Sequence, residues 1–164
     1  HELHHKAGNR GREIFWRLHR NGPKDLERAY SIVSELIGEG LATLVTFPYG
    51  LSRKYYAVKP KIDDEYEKVE EGIEQICQNI TDERADEIFD SLYNNAGPVY
   101  VVGCDMAMKI EKMFGRKKLI AAAQEPLPFF QAYKEAVTKP GEGYEFSSSL
   151  MDVIQKLQGQ IDLM

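Results

Sequence analysis

The sequence predicts a mainly α-helical chain, and three observations carry that expectation. Apolar residues recur at spacings of three and four through most of the 164 residues, which is the signature of one buried helix face. Clusters such as Asn21-Gly22-Pro23 and Asn94-Asn95-Ala96-Gly97-Pro98 interrupt those stretches where turns are expected. Capping residues stand at several of the resulting boundaries, among them Thr81 at a helix start and Gly115 at a helix stop.

The elements follow in order. Residues 1–19 read as one helix, with Ile14, Phe15 and Leu18 apolar and Arg12, Arg17 and Arg20 solvated. Gly8 and Gly11 weaken its middle. A second helix over 25–45 carries the clearest stripe: Leu26, Ala29, Tyr30, Val33, Leu36, Ile37, Gly40, Leu41 and Leu44. Residues 47–61 read as an aromatic and basic loop broken by Pro48 and Pro60, with room for a short hairpin. Residues 63–80 return to helix through Tyr66, Val69, Ile73, Ile76, Cys77 and Ile80. Thr81 then caps a helix opening on Asp82 and Glu83 and buried through Ala85, Ile88, Phe89 and Leu92. The next runs from near Val99 to Gly115, and a short one spans 117–124. Pro126 and Pro128 bracket a break before a helix of Phe129, Phe130, Tyr133 and Val137. The last helix uses Leu150, Val153, Ile154 and Leu157, with Ser149 and Asp152 at capping-box spacing.

Length suits one domain over residues 1–164, with neither internal repeats nor low-complexity tracts. Charged residues at 29% and hydrophobic residues at 43% match a soluble globular protein. The net charge of −5 is spread along the chain, and the only basic cluster is Arg116-Lys117-Lys118, read as a solvated helix start. No nucleic-acid partner is expected from this. No apolar run approaches the ~18 residues of a membrane span, so no membrane partner is expected either. The two cysteines, Cys77 and Cys104, have no C-x-x-C spacing and read by default as buried free thiols, with a disulfide as the unsupported alternative. A cytoplasmic location is the working expectation.

The chemistry-bearing stretch is the start, His1-Glu2-Leu3-His4-His5, which has the pattern H-E-x-x-H. On a helix, a spacing of four puts His1 and His5 on one face, close enough to share a tetrahedral zinc ion. Glu2 is turned by about 100° and can reach a zinc-bound water rather than the metal. Downstream, Glu39 sits about 60° from Leu36 on a helical projection, at the shoulder of the apolar stripe. A carboxylate there needs a partner, because burying it alone is costly, and zinc is one such partner. Glu35 lies about 40° further toward the polar side and is the alternative third ligand or a solvated carboxylate. Gly38 and Gly40 flank Glu39 and leave room for another backbone.

H-E-x-x-H and the segment Ile37-Gly38-Glu39-Gly40-Leu41-Ala42 together resemble the gluzincin branch of zinc peptidases. There the third ligand often comes from a Glu-Gly-Leu-Ala helix. Tyr100-Val101-Val102-Gly103, followed by Ile110, Phe114-Gly115 and Leu119, is similar to a helix that comes later in such enzymes. The nearest named group is the bacterial "putative zinc-dependent peptidases", and the similarity spans roughly residues 1–133 in scattered motifs. The resemblance implies the helical C-terminal half of a zincin-like metallopeptidase domain. It implies zinc on His1, His5 and Glu39, Glu2 as the base that activates water, and Tyr100 stabilising the oxyanion. The position four residues after the ligand glutamate, often acidic in gluzincins, is Thr43 here, and no strand-rich half is visible. Because the chain begins inside the motif, it is expected to be the C-terminal part of a longer protein.

Each of these residues also has a structural reading. Tyr100 can be an aromatic packed beside Pro98, His4 and His19 surface histidines, and Tyr55 and Tyr56 parts of a structural loop. Met106, Met108 and Met113 read as core fillers. The expected function is a zinc-dependent hydrolase acting on a peptide or protein substrate, with homodimers favoured by a face left open by absent strands. The alternative is a helical interaction or regulatory domain with an incomplete or vestigial metal site.

Overall fold

The computed structural model describes residues 2–46, 52–78, 80–94, 97–137 and 141–163, and side chains from residue 11 on, those of 52–54 excepted. Within them the secondary structure is helical, with no strand. The helices are α1 (Glu2–Asn21), α2 (Lys24–Thr46), α3 (Ser52–Val58), α4 (Ile62–Ile76) and α5 (Asp82–Tyr93). They continue as α6 (Pro98–Phe114), α7 (Arg116–Ala122), α8 (Pro126–Ala136) and α9 (Ser148–Asp162). The expected mainly α fold is what forms.

Two helices make the centre. On α2 the apolar stripe is buried as its spacing requires, with Leu44 half-buried and Ile32 added to the buried set. α6 is apolar almost all round, the composition of a helix enclosed by others. Val99, Val101, Val102, Cys104, Met106, Ala107 and Ile110 are all buried. α2 and α6 cross at a pair of glycines. A β-carbon on Gly40 would stand 2.3 Å from the carbonyl carbon of Gly103. One on Gly103 would stand 2.0 Å from the carbonyl oxygen of Leu36. Only hydrogen fits at either position.

Local signals fix several boundaries. Thr81 caps α5 through its Oγ1, which accepts from the Arg84 N–H at 3.2 Å. Gly115 ends α6 with φ of 80°, a conformation that costs a glycine little. α4 stops at Ile76 and leaves Ile80 beyond the turn.

Three expectations are corrected, two of them by contacts distant in sequence. The stretch expected as a loop over 47–61 contains α3 and a 3₁₀ turn, Lys59–Lys61, while 47–51 lie outside the described residues. No glycine or proline interrupts 51–59, and Tyr55 is anchored by donating to Asp105 Oδ1 at 2.7 Å. The break before α8 falls ahead of Pro126, and Pro126 and Pro128 lie in its first turn, where a missing N–H costs nothing. The α9 cap is Ser147, whose Oγ accepts from the Leu150 N–H at 3.0 Å, and not the Ser149/Asp152 box. Its own N–H donates to Glu70 Oε1 at 2.7 Å, so α4 selects which serine caps.

The glycine crossing gives opposite expectations for two alanine substitutions on the core helices. Gly103→Ala forces the helix pair apart and should destabilise by about 3 kcal/mol or more. Gly38→Ala meets nothing within 4 Å and should stabilise by about 0.5–1 kcal/mol through helix propensity alone. Urea midpoints of the two variants and the parent measure both effects, and equal midpoints would remove the crossing as a constraint.

Candidate functional site

The site begins at the same crossing. Glu39 is half-buried beside Gly40 on α2, on the shoulder where the helical projection puts it. Glu35 is one turn earlier and exposed at its outer edge. Tyr100 stands one turn before Gly103 on α6 and is half-buried. Tyr93, the last residue of α5, lies beside them and donates its hydroxyl to the Ser31 carbonyl at 3.3 Å. The helix crossing therefore gathers two carboxylates and two phenols from α2, α5 and α6.

Their charges act on one another. Glu35 is held above the ordinary carboxylate range, first by partial burial of its stem and then by the charge of Glu39. The Tyr100 hydroxyl is raised first by loss of water, then by Glu39 and by Glu35. Tyr93 is raised by burial and by Glu35, Tyr100 and Glu39 in turn. Each phenol thus stays protonated at neutral pH. Among the described residues, Glu35, Glu39 and Tyr100 have no hydrogen-bond or ion-pair partner. Glu35 and Glu39 are thus two like charges one turn apart, with no cationic side chain paired to them among the described residues.

α1 packs against α2, the helix that carries Glu35 and Glu39. The chain reverses between Asn21 and Lys24, and α1 runs back along α2. The Tyr30 hydroxyl donates to the Gly11 carbonyl at 3.3 Å. Nine residues back from Gly11 along α1 stands Glu2, and nine residues on from Tyr30 along α2 stands Glu39. His1 lies outside the described residues, as do the side chains of Glu2, His4 and His5. Among the described residues no three His, Cys, Asp or Glu side chains gather as a metal-binding group.

Other residues singled out by the sequence have structural places. Thr43 is buried. His19 is exposed, with Nδ1 2.7 Å from Glu27 Oε1. Tyr55 is a buried anchor, while Tyr56 faces solvent. Met106 fills the core and Met108 packs at its edge, but Met113 is exposed at the end of α6. Cys77 and Cys104 are free thiols, pushed up by burial to about 11 and about 12, so neither offers a thiolate nucleophile. Tyr93 is the member of the cluster that sequence reasoning missed, because nothing local distinguishes it from an ordinary helix-end aromatic.

A family model described as "Putative zinc dependent peptidase (DUF5700)" matches residues 1–142, and the chain belongs to that family. No curated protein and no solved structure matches.

The raised Glu35 carboxyl makes stability pH-dependent in a defined direction. In the folded protein its charged form is disfavoured relative to the unfolded chain. Its contribution is fully present below the ordinary value of 4.5 and is lost as pH rises through the folded value. In metal-free protein, Glu35→Gln should raise the melting temperature at pH 8 more than at pH 3.5. Thermal melts in chelator at the two pH values measure the difference, and an unchanged offset would exclude the repulsion.

Proposed function

We propose that this member of the zinc-dependent peptidase family is a hydrolase that cleaves peptide bonds with zinc-activated water. It is supported most by Glu39, half-buried beside Tyr100 with no hydrogen-bond or ion-pair partner among the described residues, on a helix against which α1 packs. In this reading His1, His5 and Glu39 hold the zinc, the ligand set of two imidazoles and one carboxylate used in catalytic sites with an open position. When bound, zinc supplies Lewis acidity to a water molecule and to the scissile carbonyl.

The chain's own groups do the rest. Glu2, adjacent to a ligand but turned off the metal face, takes the proton from the water and passes it to the leaving amine. Tyr100, kept protonated by burial and by Glu39, donates a hydrogen bond to the developing oxyanion. Glu35 stays outside the ligand set and shapes the field around it. The substrate is a peptide or protein, because the chemistry acts on an amide carbonyl.

Elemental analysis tests this first. The protein should carry one zinc per chain, which Glu39→Ala loses and Glu35→Ala keeps. Loss of zinc in Glu35→Ala alone would transfer the ligand role to Glu35. Zinc in neither parent nor variants would leave a helical interaction domain as the better reading.

Glu2→Gln separates metal binding from catalysis. It should retain zinc and lose about 10²–10⁴-fold of any peptidase activity of the parent. A variant as active as the parent would remove Glu2 as the base.

A further inference from the structure

α1 gives one face to the core and another to solvent. Ile14 and Leu18 are buried where α1 packs on α2. Glu13, Trp16, Arg17 and Arg20 recur at intervals of three and four, so they share a second face, centred about 130° round the helix from the first. They line an open groove of about 390 Å³. Trp16 is the chain's one tryptophan and is 54% exposed. Its ring stands edge-on to Phe15 and to His19, with centroids 5.8 Å away in each case. An aromatic already held in place loses little freedom when it is covered. Tryptophan and arginine are also the side chains that most often carry the energy of an interface.

The charges around Trp16 match the same face read backwards. Arg17 Nη2 donates to Glu13 Oε1 at 2.7 Å, which leaves Glu13 Oε2 without a partner among the described residues. Arg20 has neither a hydrogen-bond nor an ion-pair partner among them. Glu13 lies three residues before Trp16 and Arg20 four residues after it. When two such helices lie antiparallel about a two-fold axis beside Trp16, residue 13 of each comes level with residue 20 of the other. One ion pair then forms on each side of the axis, and the two indole rings meet between them.

We infer that this face of α1 binds a second copy of the chain, giving a two-fold dimer through an antiparallel α1 pair. The occupant is a like copy because the complementarity is internal to the face. A uniformly acidic partner would meet Glu13 as a repulsion, and a uniformly basic one would meet Arg17 and Arg20. A contact through one helix face falls below the about 1,200–2,000 Å² of a standard stable interface. The dimer is therefore weak, with a dissociation constant on the order of 100 µM. The N-terminal ends of α1 lie at opposite ends of the pair, so the dimer forms without the H-E-x-x-H stretch and without zinc.

The test is sedimentation equilibrium of the full chain in chelator, from about tenfold below to about tenfold above that constant. The parent should fit a monomer–dimer equilibrium. The emission of Trp16 should shift to the blue over the same range, because the ring loses water. Trp16→Ala should weaken the dimer at least about tenfold. Glu13→Arg and Arg20→Glu should each be monomeric alone, because each sets like charges opposite one another across the axis. An equimolar mixture of these two variants should associate again, with both ion pairs restored. The substituted positions are exposed, so every variant should keep the helical circular dichroism of the parent. A parent that stays monomeric, a dimer unchanged by Trp16→Ala, or a mixture of the two charge variants that stays monomeric would overturn the assignment.

Discussion

The contact on which the rest of the molecule depends is backbone against backbone, at Gly40 and Gly103. Helices usually pack with axes about 8–10 Å apart because side chains hold them there. Here a β-carbon on either glycine would collide with the other helix, at 2.3 Å from Gly103 or 2.0 Å from the Leu36 carbonyl. The close approach buries the stripe of α2 against a helix that is itself apolar on nearly every side. It also fixes the site, since Glu39 adjoins one glycine and Tyr100 lies a turn before the other. Core geometry and site geometry are set by one constraint.

Buried carboxylates elsewhere in the fold show what a satisfied charge looks like. Asp105 accepts from Tyr55 at 2.7 Å and Tyr66 at 2.8 Å and is paired with Lys109 at 2.7 Å. Glu70 accepts from the Tyr144 hydroxyl at 2.6 Å and from the Ser147 N–H at 2.7 Å. Each holds a distant segment in place: Asp105 secures α3, and Glu70 secures the approach to α9. Such carboxylates are tolerated in the interior because donors replace the lost water. Breaking one partner would strand the rest, which makes them anchors rather than reactive groups.

The helices were legible where short-range physics decides them. The α2 stripe, the Thr81 cap and the Gly115 stop depend on neighbours within a few residues, and each forms as its spacing implies. α3 and the Ser147 cap were not legible, because their deciding partners, Asp105 and Glu70, lie far off in sequence. The same division runs through the candidate site. Glu39 could be placed at the edge of the buried stripe from helical projection alone. Tyr100 came from resemblance to a motif, and its place beside Glu39 depends on a glycine crossing that projection cannot show. Tyr93 reaches the cluster only because α5 ends against α2. Family membership makes zinc chemistry the natural reading of these residues, whereas the ligand roles of His1, His5 and Glu39 are assigned by proposal.

The contrast between the two kinds of carboxylate is the strongest physical reason to treat the α2–α6 crossing as a working site. Asp105 and Glu70 are more deeply buried than Glu39, yet each has its donors. Glu35 and Glu39 sit one turn apart, repel each other, and have no donor among the described residues. A like-charge pair at that spacing weakens a helix by a few tenths of a kcal/mol, and partial burial adds to the cost. Tyr93 and Tyr100 could have answered these charges with hydrogen bonds. Tyr93 instead donates to the Ser31 carbonyl, and Tyr100 has no acceptor among the described residues. Among the described residues the fold therefore supplies donors to Asp105 and Glu70 and none to Glu35 and Glu39. Repulsion between two such charges is relieved by a bound cation, which is the physical ground for the zinc reading proposed for Glu39.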